Sequence, residues 1–298
     1  VTDKTTLRVA SAQYNIDFFN HWDDYRQKLS RWVTEAAGAG AQLLVFPEYG
    51  SMELASLLGE ECLKDMHKQF AGMQSLWADV QALHCELAAQ YNLLIIGASF
   101  PLQIEDGSYR NRAVIYGPGV DDTGSELGFQ DKLIMTRFEN EHWQISASND
   151  IQLINTDFGS LGINICYDSE FPLLASQQVA GGANIIIVPS CTDTEAGFYR
   201  VRIGCQARAM ENQCYVIHSP TIGLAEWSEA VDINIGRASI YTPVDYGFPA
   251  NGILAEGQDD QPGWVYADLD LAAIENVRNN GQVFNYRDWP EQGKKKLD

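Results

Sequence analysis

Cys166, Glu48 and Lys132 are the side chains through which this sequence of 298 residues could do covalent chemistry. Cys166 follows the apolar run 161–165 and precedes Tyr167-Asp168-Ser169-Glu170-Phe171-Pro172. Ser169 suits a helix N-cap, Glu170 suits a first turn, and Pro172 is tolerated there. The cysteine therefore reads as lying at a strand end, just before a helix N-terminus. Free N–H groups and the positive dipole end favour a thiolate at such a place and can bind a developing oxyanion. Glu48 comes after the apolar run 43–46 and Pro47. A carboxylate at the end of a buried strand is partly desolvated, so its pKa rises toward that of a useful general base. Lys132 ends a strand-like run in GFQDKLIMTRFENEHW, where a partly buried ammonium would stabilise both thiolate and oxyanion. Taken singly, each has a plainer reading: a core cysteine, a solvated carboxylate, a surface lysine.

Other chemistries find less support. The remaining cysteines are Cys62, Cys85, Cys191, Cys205 and Cys214, with no C-x-x-C pair and no zinc spacing. The histidines His21, His67, His84, His142 and His218 lack H-E-x-x-H spacing, and no P-loop, G-x-G-x-x-G or G-x-S-x-G occurs. A papain-like pairing of a cysteine with His142 or His218 stays open at this level.

The elements that must position these groups alternate between apolar runs and helical patterns. Strands are expected at 7–14, 42–46, 93–100, 112–116 and 127–133, with helical periodicity at 22–38 and 62–90. The second half repeats this order: strands at 161–166, 184–188, 214–218, 237–241 and 252–255, helices at 170–180 and 199–212. AGAGAQLLVFPE aligns with VAGGANIIIVPS, NLLIIGASFP with QCYVIHSP, and RNRAVIYGP with GRASIYTP. Each half is then one β-α-β-α-β-β unit. Doubly apolar strands need cover on both faces. The expected fold is a four-layer α-β-β-α sandwich of the α/β class with pseudo-two-fold symmetry; a single doubly wound sheet is the alternative. The chain reads as one domain over 1–298, with a C-terminal arm from about 264 that could pack on a neighbouring subunit. In the repeat Ser190 takes the place of Glu48, so Cys191, also after a strand end, reads as pocket lining.

Composition narrows the partners. Forty acidic and 20 basic side chains give a formal charge of −20, which repels phosphate backbones and anionic membrane surfaces. Neither nucleic acid nor membrane is an expected partner. Scattered cysteines and no signal-like segment read as a cytoplasmic chain with reduced thiols. No apolar stretch is long enough to span a bilayer.

LLVFPEY, QDKLIMTRFE and INICYDSEFP resemble, in order and spacing, the three signature blocks of the nitrilase superfamily of carbon–nitrogen hydrolases. The resemblance runs from residue 7 to about 266. It implies the α-β-β-α sandwich, with Glu48 as general base, Lys132 as oxyanion stabiliser and Cys166 as nucleophile. It implies that Glu139, seven residues beyond Lys132, orients the site. DKLIMTRFENEHW, PSCTDTEAGFYRVRIGCQARAMENQCYV and AEWSEAVDINIG look like a bacterial branch sometimes fused to an acetyltransferase domain. The hydrolase pattern uses up this chain, so no such domain is expected within it. Met135 departs from the broader pattern, where many members carry proline.

The roles so assigned describe a hydrolase of a small amide working through a thioester, with the N–H of Tyr167 completing the oxyanion site. No metal or organic cofactor is needed. Nitrile hydrolysis, acyl transfer to an amine and a non-catalytic binding scaffold are the competing readings. A homo-oligomer, at least a dimer, is expected. Tyr49, Glu141, His142, Ser190, Cys191, Asp193 and Glu195 are the candidate pocket residues. Loops 49–56, 138–146 and 191–199 also carry Glu53 and Glu139 but no lysine or arginine, with Arg137 and Arg200 flanking them. A substrate carboxylate normally meets a basic clamp, so a neutral or cationic substrate is expected.

Overall fold

The computed structural model describes residues 6–119, 123–259 and 261–296. The first half runs β1 (Thr6–Asn15), α1 (Trp22–Gly38), β2 (Leu43–Val45), a 3₁₀ helix (Gly50–Leu58), α2 (Met66–Met73), α3 (Trp77–Tyr91), β3 (Leu94–Ile96), β4 (Phe100–Gln103), β5 (Tyr109–Pro118), β6 (Gly124–Asp131) and α4 (Arg137–Glu141). The second runs β7 (Ile154–Thr156), β8 (Gly159–Ile163), a 3₁₀ helix (Cys166–Glu170), α5 (Pro172–Ala180), β9 (Ala183–Ser190), α6 (Glu195–Asn212), β10 (Tyr215–Leu224), β11 (Ile233–Asn234), β12 (Ser239–Tyr241) and β13 (Ile253–Glu256). β14 (Gly263–Asp270), α7 (Leu271–Asn280) and α8 (Asn285–Asp288) follow.

The strands pair in two parallel series. β14, β1, β2, β3, β5 and β6 are hydrogen-bonded in that order, with β1, β2 and β3 parallel and the rest antiparallel. β7, β8, β9, β10, β12 and β13 repeat the same order and the same directions. The two series touch where β1 and β10 run parallel at Tyr14–Thr221 and Asn15–Ile222.

Strand alternation explains the layers. In β1, Leu7 and Val9 pack in one core with Leu43, Val45 and Ile115, and with Ile163, Ile165 and Ile187 of the other series. Ala10, Ala12 and Tyr14 point the other way, into a second core with Tyr25, Leu29 and Val33 of α1 and Leu83 and Leu87 of α3. Successive side chains of a strand face opposite sides, so each sheet has the other sheet on one face and helices on the other. This is the α-β-β-α sandwich. A single doubly wound sheet does not form.

Several boundaries differ from the sequence expectation. The helix expected over 62–90 is two helices, joined by a 3₁₀ turn at Gln74–Leu76 whose Gln74 side chain donates to Phe70 O (2.7 Å) and Pro101 O (2.8 Å). The strand expected over 127–133 stops at Asp131, so Lys132 stands in the following loop. The stretch expected to open a C-terminal arm is β14, paired with β1 over eight residues from Thr6–Asp270 to Gln13–Gly263. Its apolar positions belong to the cores of this chain, with Leu269 fully buried and Trp264 Nε1 donating to Trp32 O at 3.0 Å.

Candidate active site

Two tight turns at parallel strand ends carry the acid and the thiol. After β2 the chain passes Phe46, Pro47 and Glu48, then enters the left-handed region at Tyr49 (φ 53°). The turn is pinned by Ser99, whose hydroxyl accepts Tyr49 N–H at 2.9 Å and whose carbonyl accepts the Ser51 hydroxyl at 2.6 Å. After β8 the chain passes Asn164 and Ile165 and enters the left-handed region at Cys166 (φ 51°). A non-glycine residue held there is strained, and such strain persists only where surrounding contacts impose it. Here Ser169 Oγ donates to Cys166 O at 2.6 Å, and Arg208 donates to Ser169 O at 3.0 Å. Ser169 is thereby engaged and does not cap α5, which starts only at Pro172 after the 3₁₀ turn.

Lys132 and Glu139 arrive from the loop after β6 and from α4. Thr136 and Glu139 form a capping box at the start of α4, which fixes the Glu139 carboxylate. Lys132 Nζ donates to Glu48 Oε1 at 2.7 Å and to Glu139 Oε2 at 2.6 Å. Asn111 Nδ2, from β5, donates to Glu48 Oε1 (2.9 Å) and Glu139 Oε1 (3.2 Å), and Tyr49 OH donates to Glu139 Oε1 at 2.9 Å. All three charged groups are about 1% exposed, so a burial cost is met by close pairing. The Cys166 thiol donates to Cys191 O at 3.7 Å and lies close enough to Glu48 and Lys132 for both to act on its charge.

The electrostatics separate the roles of the two carboxylates. Burial raises the Glu48 pKa, and Glu139 adds to this against the pull of Lys132. Burial acts on Glu139 too, but Lys132 and the N–H and hydroxyl of Thr136 outweigh it and hold its pKa down. Burial opposes the charge on Lys132, yet Glu139 and Glu48 together keep its pKa well above that of a free lysine. Cys166 differs from the thiolate expected of a helix N-terminus. Burial pushes the thiol well up and the Glu48 charge adds to it, with Lys132 opposing. The thiol is thus held less acidic than a free cysteine, beside a carboxylate of raised basicity.

These side chains form the floor of a cavity of about 650 Å³. Tyr49, Cys191 and Asp193 line it, as expected from their loops, together with Tyr167, Arg137 and Arg200. Four other expected pocket residues lie elsewhere. Ser190 is buried, with Oγ 2.7 Å from His218 Nε2, because β9 continues through it and turns its side chain toward β10. Glu141 is exposed and paired with Arg137 at 2.8 Å, one turn along α4. His142 is exposed, its ring tilted against Phe138. Glu195 is exposed in the first turn of α6. Glu53 is buried behind the site, bonded to Lys28 (2.7 Å) and Tyr14 (2.5 Å). His218 meets Ser190 rather than Cys166, and burial lowers its pKa to about 3, so neither histidine forms a papain-like pair. Among the described residues no group of three His, Cys, Asp or Glu is placed to hold a metal ion.

Residues 8–279 match the carbon–nitrogen hydrolase family. The chain belongs to that family. Among its relatives is the probable hydrolase YhcX of Bacillus subtilis (strain 168), 33% identical over 282 residues, which are 95% of this chain and 53% of that protein. The chain thus spans about half the length of this relative. The omega-amidase NIT2 of Danio rerio is 26% identical over 263 residues, 86% of each chain. The C. elegans NitFhit structure superposes with a TM-score of 0.75 at 18% identity, covering 98% of this chain and 65% of that one. Nit3 of Saccharomyces cerevisiae, of the nitrilase superfamily, does so at 0.69 and 21%, covering 92% and 93%. The sandwich built up from strand pairing is the fold of these proteins.

Around these groups stand further residues to which the sequence reading gave no role. Asn111 lies in the RNRAVIYGP stretch, noticed only for its place in the repeat. Asp168 lies in the Cys166 block, and Trp143 lines the cavity edge-on to Tyr49. Glu229 and Asp232 come to the rim from the segment between β10 and β11. Asp168 stands in INICYDSEFP and Glu229 and Asp232 in AEWSEAVDINIG, but nothing in those stretches says which side chain reaches the site; the meeting of distant loops does.

Proposed function

We propose that the protein hydrolyses the carbon–nitrogen bond of a small amide, with Cys166 as nucleophile, Glu48 as base and Lys132 as oxyanion stabiliser. The observation that carries this reading is Lys132 Nζ held between Glu48 (2.7 Å) and Glu139 (2.6 Å) beside the Cys166 thiol at the cavity floor. Glu48 takes the thiol proton as Sγ attacks the amide carbon. The tetrahedral oxyanion is met by Lys132 Nζ and the N–H of Tyr167, which opens a 3₁₀ turn whose first donors lack intrahelical acceptors. Glu48 returns the proton to the leaving nitrogen, ammonia or an amine departs, and a thioester remains. Glu48 then deprotonates a water that attacks the thioester, and the acid leaves as the thiol is restored. Glu139 acts on Lys132 and is not the base, because its oxygens are occupied by donors and its pKa is held down.

The relatives include a protein named an omega-amidase. A solved amidase of similar fold, from Nesterenkonia sp. AN1, carries acrylamide on its active-site cysteine. Both are in keeping with amide hydrolysis at a cysteine. The expected homo-oligomer has a candidate face on α6, where Tyr199, Ile203 and Met210 are 45%, 64% and 45% exposed on one side of the helix. Ammonia release from a panel of small amides and nitriles tests the reaction. Turnover by wild type but not by Cys166→Ala supports it; equal turnover by both refutes it.

A further inference from the structure

We infer that Asp168 is a positioning residue: its buried carboxylate clamps the turn carrying Cys166 to the loop carrying Lys132, setting the gap that an oxyanion must bridge. The inference rests on the triad reading above. Asp168 has no exposed surface. Its Oδ1 accepts Ile134 N–H at 2.8 Å, both oxygens accept Leu133 N–H at 3.2 Å, and Oδ2 accepts Ile165 N–H at 3.1 Å. The first two donors follow Lys132 directly, and the third precedes Cys166 directly. One carboxylate therefore grips the neighbours of both groups on segments 35 residues apart. Lys132 itself is tied on its other side, its N–H to Asn111 O (2.9 Å) and its carbonyl to Ser148 N–H (3.0 Å).

The arrangement has the form of a designed clamp. A buried carboxylate accepting several backbone N–H groups is one of the stronger hydrogen-bond sets available. Burial pushes the Asp168 carboxyl up to about 7, and Lys132 with the three N–H donors opposes that rise. The bonds span two loops that share no strand ladder, since β6 ends at Asp131 and β8 at Ile163. Among the described residues no direct backbone–backbone hydrogen bond joins the Lys132 loop to the Cys166 turn, which are otherwise linked only through the length of the strand ladder. Attack on a carbonyl requires Nζ and the Tyr167 N–H to converge on one oxygen while Sγ reaches the carbon. Alkylation of the thiol requires no oxyanion at all.

That difference supplies the test. Asp168→Asn keeps the shape but turns one oxygen into a donor facing an N–H, and Asp168→Glu keeps the charge but shifts it by a methylene. Each variant is compared with wild type for hydrolysis of the best amide in the panel and for inactivation by iodoacetamide. Folding is checked by thermal melting, with Cys166→Ala as the control for the triad reading. The expected result is a kcat reduced on the order of 10–100-fold, a KM and an iodoacetamide rate changed less than about threefold, and a smaller loss in Asp168→Glu. If Asp168→Asn does not fold, the same split between the two rates is required of Asp168→Glu. Full hydrolytic activity in a folded variant overturns the inference. So does a parallel fall in hydrolysis and alkylation, which would make Asp168 an activator of the thiol. Hydrolysis persisting in Cys166→Ala would instead refute the triad, separately from Asp168.

Discussion

Glu139 holds Lys132 at 2.6 Å from inside a helix capping box, so the same carboxylate starts α4 and orients the buried ammonium. Its two oxygens receive donors from Lys132, Asn111, Tyr49 and Thr136. Glu139→Gln puts an amide donor among them and removes a charge that keeps the Lys132 pKa high. Turnover should fall on the order of tenfold or more, and the alkaline limb of kcat/KM should move to lower pH. Glu48→Gln should remove the acid limb itself. Rapid-mixing measurements of acylation and deacylation decide this; normal rates for both steps in Glu139→Gln would show that it has no such role.

Cys191 lends the Cys166 thiol a backbone carbonyl, not a side chain. Its own thiol faces Asn234 Oδ1 at 3.2 Å, and burial pushes its pKa far up. Cys191→Ala should keep activity within a few-fold of wild type, while Cys166→Ala should lose on the order of a thousandfold or more. Mass spectrometry of the trapped acyl-enzyme should find the adduct on the peptide containing Cys166.

Acid should destabilise the fold through two buried histidines. His84, with Nδ1 2.8 Å from Val80 O, is lowered to about 4, and His218 to about 3, chiefly by burial. Their unfolded value is about 6.5. Below it the unfolded chain binds protons that the folded chain refuses, so stability present above about pH 6.5 is lost as pH falls toward 4 and 3. Each group contributes on the order of a few kcal/mol. Asp168, raised to about 7, works in the opposite direction, costing stability as pH rises from about 4 to 7. Urea unfolding at pH 7.5 and 5 should show a net loss in acid, flattened in His84→Gln. An unchanged slope in that variant would count against the assignment.

The rim charge predicts a preference among substrates. Arg137 is paired with Glu141 (2.8 Å) and Arg200 with Glu170 (3.4 Å). Asp193 and Glu229 line the cavity with no cationic partner among the described residues. Matched amides ending in ammonium, hydroxyl or carboxylate should therefore rank in that order of kcat/KM, with a gap that narrows as salt is added. A preference for the carboxylate series, lost in Arg137→Gln or Arg200→Gln, would reverse the reading.

Self-association through α6 is checked by light scattering at micromolar concentration. Wild type should be at least a dimer, and Ile203→Glu should shift it toward monomer. A monomeric wild type would dispose of the homo-oligomer.

The sequence by itself pointed to the layers and to the groups proposed to act. Continuous apolar runs such as those of β2 and β9 require cover on both faces, and the repeated order of blocks implies two like sheets. Glu48 and Cys166 were legible because each follows an apolar run inside a recognisable block, and Lys132 because it stands in such a block at the end of a strand-like stretch. The tertiary structure decided what surrounds them. Asn111 and Asp168 lie in stretches the sequence already drew attention to, but their hydrogen bonds were not legible, because a hydrogen bond depends on where separate loops meet in space. Glu53 and Ser190 are buried in other packing, while Glu141, His142 and Glu195 are exposed to solvent outside the cavity lining. The shift in the acidity of Cys166 arises there too. Local helix geometry favours a thiolate, but complete burial beside the negative charge of Glu48 outweighs it, and only the folded chain brings those two residues together.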